Sequence, residues 1–120
     1  MHELGIADSI VKTVLKEMEQ RKLKHLQAVG VRVGVLTDVV PEALEFSFQA
    51  ITNGTPLSSA RLKIEQVPLR AKCRACGKEA EIEQFLFVCP HCENRDLEII
   101  QGDELHIDYI ETSDPEVGHG

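Results

Sequence analysis

Four cysteines fall in two close pairs, Cys73-Arg74-Ala75-Cys76 and Cys89-Pro90-His91-Cys92. Each pair puts two thiols on one tight turn, and the twelve residues between the pairs suffice for a hairpin that brings the turns together. Four sulfurs then surround one ion. Zinc accepts such a tetrahedral thiolate cage without redox cost, and a closed shell of cysteines leaves no position for a substrate water, so the site reads as structural. Gly77 can take the left-handed conformation that turns amides toward a sulfur, and Glu93 holds the same place in the second turn. Three other chemistries compete. A disulfide needs an oxidising compartment, and a redox Cys-x-x-Cys leaves the second pair unexplained. A single iron takes the same four thiolates; the short spacing and few aromatics, four Phe, one Tyr and no Trp, favour zinc. A ribbon over 70–96 has little core, so much of its folding energy is expected from the metal.

A second group able to do chemistry is the opening Met1-His2-Glu3. The terminal amine, the backbone nitrogens of His2 and Glu3, and an imidazole nitrogen of His2 can lie near one plane around a divalent ion. Square-planar nitrogen donation suits Ni(II) or Cu(II) and suits zinc poorly. A histidine at position 2 is in most chains only a solvated end residue, and the motif alone does not separate the two readings. The large side chain after Met1 predicts that the initiator methionine is retained, which the site requires. His91, inside the second knuckle, reads first as an exposed spacer and second as a further ligand; His25, His106 and His119 lack any nearby ligand pattern.

These groups need elements to position them. Ala7, Ile10, Val11, Val14, Leu15 and Met18 recur at helical spacing, which predicts an amphipathic helix over 4–21. Val29, Val31, Val33 and Val35 alternate in a strand over 28–36, with Gly30 and Gly34 on its other face leaving room for close packing. Thr37 and Asp38 are placed to cap a second helix over 41–53, where Pro41 suits the first turn and Leu44, Phe48 and Ile51 share a face. Arg61-Leu62-Lys63-Ile64-Glu65 alternates again, and this strand, helix, strand order favours a parallel, right-handed crossover. Strand-like sequence returns over 97–110. Phe46, Phe48, Phe85 and Phe87 are expected in the core. The architecture is therefore α/β (α+β), a small mixed sheet with two helices and an inserted zinc ribbon: 1–69 and 97–111 form the α/β domain, 70–96 the ribbon, and 112–120 a mobile tail.

The 120 residues are enough for one modest core. With 20 acidic against 13 basic residues the net charge is −7, which disfavours nucleic acid as a partner. No stretch approaches membrane-spanning length and no basic leader precedes an apolar run, so the expected location is the cytoplasm. No phosphate-binding glycine loop or catalytic constellation is seen, and the expectation is a protein that is not an enzyme.

Taken together, the opening Met1-His2-Glu3-Leu4, the strand Val31-Arg32-Val33-Gly34, the cysteine pairs and the late Gln101-Gly102-Asp103-Glu104-Leu105 resemble the HypA/HybF nickel-insertion proteins, which mature [NiFe]-hydrogenases and, in some bacteria, urease. The resemblance covers nearly the whole chain. It implies that His2 binds nickel with neighbouring backbone nitrogens, that Glu3 supports the site or a partner contact, and that Cys73, Cys76, Cys89 and Cys92 hold zinc. It also implies a HypB-type GTPase as partner and delivery of Ni2+ to the hydrogenase large subunit, with urease maturation proteins as the other client route. The competing reading is a zinc-ribbon adaptor for nucleic acid or a transcription complex.

Overall fold

The computed structural model describes residues 3–112. Its elements in order are α1 (Glu3–Arg21), β1 (Leu26–Gly34), a 3-10 turn (Val35–Thr37), α2 (Pro41–Thr52), β2 (Arg61–Val67), β3 (Arg70–Cys73), β4 (Glu79–Glu81), β5 (Leu97–Gln101) and β6 (Leu105–Thr112). The strands form two three-stranded sheets, ordered β2-β1-β6 and β4-β3-β5. The chain divides into two compact units, one from 1–31, 39–64 and 107–120, the other from 32–38 and 65–106. The tail expected over 112–120 lies, from 113 on, outside the described residues, as does His119.

In the first unit α1 packs on α2. The helical spacing does what it predicts: Ala7, Ile10, Val11, Val14 and Met18 are buried along one side of α1, while Leu44 and Phe48 of α2 are fully buried. Each of these side chains larger than alanine contributes about 1.5–3 kcal/mol on leaving water. Thr52, the buried polar residue of α2, donates its hydroxyl to the Phe48 carbonyl at 2.8 Å and so carries no unmet hydrogen bond into the core. A Cβ at Gly30 would meet the ring of Tyr109, so the ring closes over this glycine.

The start of α2 departs from expectation. Its N-cap is Val40, with no side-chain cap hydrogen bond, rather than Thr37 or Asp38. Thr37 instead donates its hydroxyl to the Gly34 carbonyl at 2.8 Å, and Asp38 closes the 3-10 turn in the left-handed conformation at φ 61. That tight turn uses up the residues that could have reached the helix. The Val40 N–H goes to the Glu3 carboxylate at 3.0 Å, an acceptor 37 residues away in sequence.

In the second unit β3 is the middle strand, antiparallel to β4 and to β5, with Ala71 opposite Ala80 and Cys73 opposite Leu97. Leu69, Ala71 and Ile82 form its small core, with Leu36, Leu97 and Ile99 packed against it. The two glycine-bearing segments Val31-Arg32-Val33-Gly34 and Gln101-Gly102-Asp103-Glu104 meet here. Gly34 N–H donates to the Glu104 carbonyl at 2.7 Å and Leu36 N–H to the Gly102 carbonyl at 2.8 Å. A Cβ on Gly34 would strike the Gly102 backbone; Gly102 itself sits at φ 114, where a side chain would also press on Leu69. The unit thus takes in more than the cysteine segment 70–96, because β5 pairs with β3 and the 102–104 turn bonds to 34–36.

Of the four phenylalanines expected in the core, only Phe48 is buried; Phe46, Phe85 and Phe87 are 73%, 54% and 40% exposed. Phe46 lies two positions past Leu44, on the opposite side of the helix. Phe85 occupies a left-handed turn at φ 58, and a core of three small-to-medium side chains cannot take in two rings.

Candidate metal centre

All four cysteines lie in the second unit, and each knuckle is built from backbone. Gly77 N–H donates to the Cys73 carbonyl and Glu93 N–H to the Cys89 carbonyl, both at 2.8 Å. These equivalent positions are left-handed, at φ 77 for Gly77 and φ 65 for Glu93. The turns aim amides at sulfur: Cys76 N–H points at Cys73 Sγ and His91 N–H at Cys89 Sγ, each at 3.4 Å. The first knuckle follows directly from β3, which ends at Cys73.

A clasp that the spacing of the cysteines does not announce holds the second knuckle to the first. Arg74 N–H donates to the Asp96 carbonyl and its guanidinium to the Asp96 carboxylate, both at 2.9 Å, while Cys89 N–H donates to the Asn94 carbonyl at 2.8 Å. Asn94 Oδ1 accepts from Asp96 N–H at 2.7 Å. The signal in the sequence is Asn94-Arg95-Asp96, an Asx-turn pattern immediately after the last cysteine.

The result is a four-sulfur cluster with all sulfurs within 4.8 Å of one another. Cys73 Sγ is 3.6 Å from Cys92 Sγ, and Cys76 Sγ is 3.7 Å from Cys89 Sγ. A tetrahedron of thiolates at the usual zinc–sulfur distance of about 2.3 Å has edges of about 3.8 Å, so the donor set fits zinc. Among the described residues no histidine or carboxylate joins the cluster, and His91 is exposed. Cys73 and Cys89 are buried; Cys76 and Cys92 are exposed.

The electrostatics are those of a cage built for a cation. The Cys76 amide lowers the Cys73 thiol. Burial pushes Cys89 up, but the amides of Cys92 and His91 and the neighbouring thiols outweigh it and bring the pKa to about 6. At Cys92 the Asn94 amide pulls down, yet the Cys73 sulfur, burial and the other two thiols prevail and raise it to about 12. Four sulfurs at this distance do not all ionise near neutrality unless a cation replaces their protons.

Of the N-terminal residues, Met1 and His2 lie outside the described residues. Glu3 opens α1, and its side-chain carboxylate is engaged with Val40 N–H.

Compared with known proteins, residues 1–112 match the family described as "Hydrogenase/urease nickel incorporation, metallochaperone, hypA". The chain is 40% identical over 114 residues to the hydrogenase maturation factor HypA of Trichodesmium erythraeum (strain IMS101), covering 95% of this chain and 97% of that one. It is 35% identical over 111 residues to that of Moorella thermoacetica, covering 92% and 98%. Two solved structures share the fold: a solution structure of HypA protein, with TM-score 0.71, 18% identity and coverage of 93% and 96%, and that of the Ni metallochaperone HypA from Helicobacter pylori, with TM-score 0.65, 18% identity and coverage of 93% and 97%.

Proposed function

This chain belongs to the HypA family, and from that membership we propose that it is a nickel metallochaperone of hydrogenase maturation whose zinc cage is structural and whose nickel is cargo. The observation that carries the division of labour is the closed four-thiolate cluster: its donors are spent on one tetrahedral ion, so a second, labile metal needs other ligands. Those ligands are the amine of Met1, the backbone nitrogens of His2 and Glu3, and the imidazole of His2. Two facts support this reading. The family match spans these residues. Glu3 opens α1 beside these groups, and its carboxylate accepts from Val40 N–H, which gives the side chain a task inside the fold. In this reading Glu3 gives its backbone nitrogen to nickel, while its side chain serves the start of α2.

In this reading the chain acts in the cytoplasm as a carrier rather than a catalyst. It receives help from a HypB-type GTPase and passes nickel to the hydrogenase large subunit, or to urease maturation proteins where that enzyme is the client. No helix among the described residues is long and apolar enough to cross a membrane. The nucleic-acid adaptor reading finds no support: the family match accounts for the ribbon, and the net charge of −7 opposes phosphate binding.

The test is calorimetric nickel titration of three zinc-loaded proteins: the native-start chain, one extended by a residue before Met1, and His2→Ala. Extension turns the amine into an amide and moves His2 off the free end, so both variants should lose the high-affinity site while stability shifts by less than roughly 0.5 kcal/mol. Equal affinities in all three would refute the N-terminal site.

A further inference from the structure

We infer that the eight residues after β6 fold back along it as a further strand, with Val117 at an apolar groove between α1 and β6 and with Asp114 and Glu116 at the basic turn that joins α1 to β1. Among the described residues β6 is an outer strand, in the order β2-β1-β6, so one side of its backbone has no strand beside it. Such an edge is a template for pairing, and natural sheets cover it or charge it. A groove of about 440 Å³ opens between α1 and β6, walled by Val14, Ile107, Tyr109 and Ile110 and rimmed by Glu17 and Arg21. The family match stops at residue 112 and assigns the following eight residues nothing.

Position, charge and length name the occupant. Thr112 ends β6 and donates its hydroxyl to the His25 carbonyl at 2.7 Å, which sets residue 113 off beside the turn Arg21-Lys22-Leu23-Lys24-His25. In a chain of net charge −7 this turn is a concentration of cations. Arg21 is held by Glu17 at 2.7 Å, so the contact with Asp114 and Glu116 falls to Lys22 and Lys24, both exposed. Asp114-Pro115 initiates a turn, and a four-residue loop over 113–116 is a common hairpin connection. The loop also takes up the proline, which could not donate to a strand ladder. Val117 then stands opposite Thr112 and on the face of Ile110, two positions back along β6. Four residues at about 3.3 Å each run about 13 Å along the edge, as far as Tyr109.

By composition alone 112–120 is a mobile tail, and as a free peptide it has too few contacts to bind. The tether changes this, because it makes docking intramolecular at an effective concentration of about millimolar. Docking also closes the open side of the sheet, which would otherwise invite pairing between the β6 edges of two copies.

The experiment is NMR of the full zinc-loaded chain beside two full-length variants, Val117→Asp and Asp114→Asn combined with Glu116→Gln. In the wild type, nuclear Overhauser contacts should join the Val117 methyls to Ile110. The β6 amides that point away from β1 should exchange at least about tenfold more slowly than in Val117→Asp. The charge variant should fall between the two, and added salt should bring the wild type toward it. Unchanged amide shifts in α1 and α2 establish that both variants are folded. Absence of Val117–Ile110 contacts in the wild type, or equal exchange in the wild type and Val117→Asp, overturns the inference. Protection that grows with protein concentration also overturns it, since a second copy would then hold the edge. A charge variant indistinguishable from wild type overturns the role given to Lys22 and Lys24.

Discussion

Gly34→Ala tests how the two motif segments meet. Gly34 has φ −75 and ψ 150, where alanine is at ease, so backbone strain plays no part. The added methyl instead meets the Gly102 backbone, which has no rotamer to change. Overpacking of this kind costs about 1–3 kcal/mol. Relief requires the 102–104 turn to back away, which forfeits the 2.7 Å bond to the Glu104 carbonyl and the 2.8 Å bond to the Gly102 carbonyl, each worth about 1 kcal/mol. Alanine returns about 0.5 kcal/mol by restricting the unfolded chain. The expected net loss is about 3 kcal/mol, a large fraction of the 5–15 kcal/mol typical of a domain. Gly30→Ala is the control: the obstacle there is the Tyr109 ring, 41% exposed and able to swing outward, and the expected loss is only about 1 kcal/mol. Urea unfolding of the zinc-loaded proteins, followed by circular dichroism, gives both values. Refutation would be a Gly34→Ala midpoint within about 0.5 kcal/mol of wild type, or a Gly30→Ala loss equal to or larger than it.

Phe48→Ala should cost about 3–5 kcal/mol in the same assay, while Phe46→Ser, at a side chain 73% exposed, should stay within about 0.5 kcal/mol. The Glu104 carboxyl is raised by burial but brought below its ordinary value by its own amide and that of Gly102, with Arg32 and His106 assisting. Its contribution is therefore complete above the ordinary carboxylate pKa of 4.5 and is lost as pH falls through the lower folded value; Glu104→Gln should flatten that part of the acid unfolding curve, and superimposable curves would exclude the linkage. Chelation of zinc under reducing conditions, or Cys92→Ser, should collapse the amide resonances of β3, β4 and β5, because three buried residues cannot hold that sheet alone, and leave those of α1 and α2 dispersed. An unchanged spectrum of the metal-free reduced chain would show that the cage adds nothing to folding.

What could be read in advance was local. The spacing of apolar residues in α1 and the two Cys-x-x-Cys turns are properties of a few consecutive residues, and both are found where expected. So is the positive φ at Glu93, inferred only by its equivalence to Gly77. Long-range choices were hidden. Thr37 and Asp38 have the chemistry of a helix cap, but a 3-10 turn claims them first, and the cap function falls to Glu3 at the far end of α1. The strand-like run after the last cysteine is two strands in two sheets, divided where Gly102 turns at φ 114. Alternation along a strand says which residues share a face, never which neighbour the strand pairs with.

The chain passes from one compact unit to the other four times, at 31/32, 38/39, 64/65 and 106/107. A ribbon grafted into another protein as the stretch from its first cysteine to its last would leave behind β5, all of β3 but Cys73, and the 102–104 turn, hence two strands of its sheet and, with Leu69 and Ala71, two of its three core residues. Recombination that shuffles contiguous segments cannot therefore exchange this ribbon between relatives without cutting through strands. The units should be inherited together, and a chimera is expected to fold only if its junctions lie outside all four crossings.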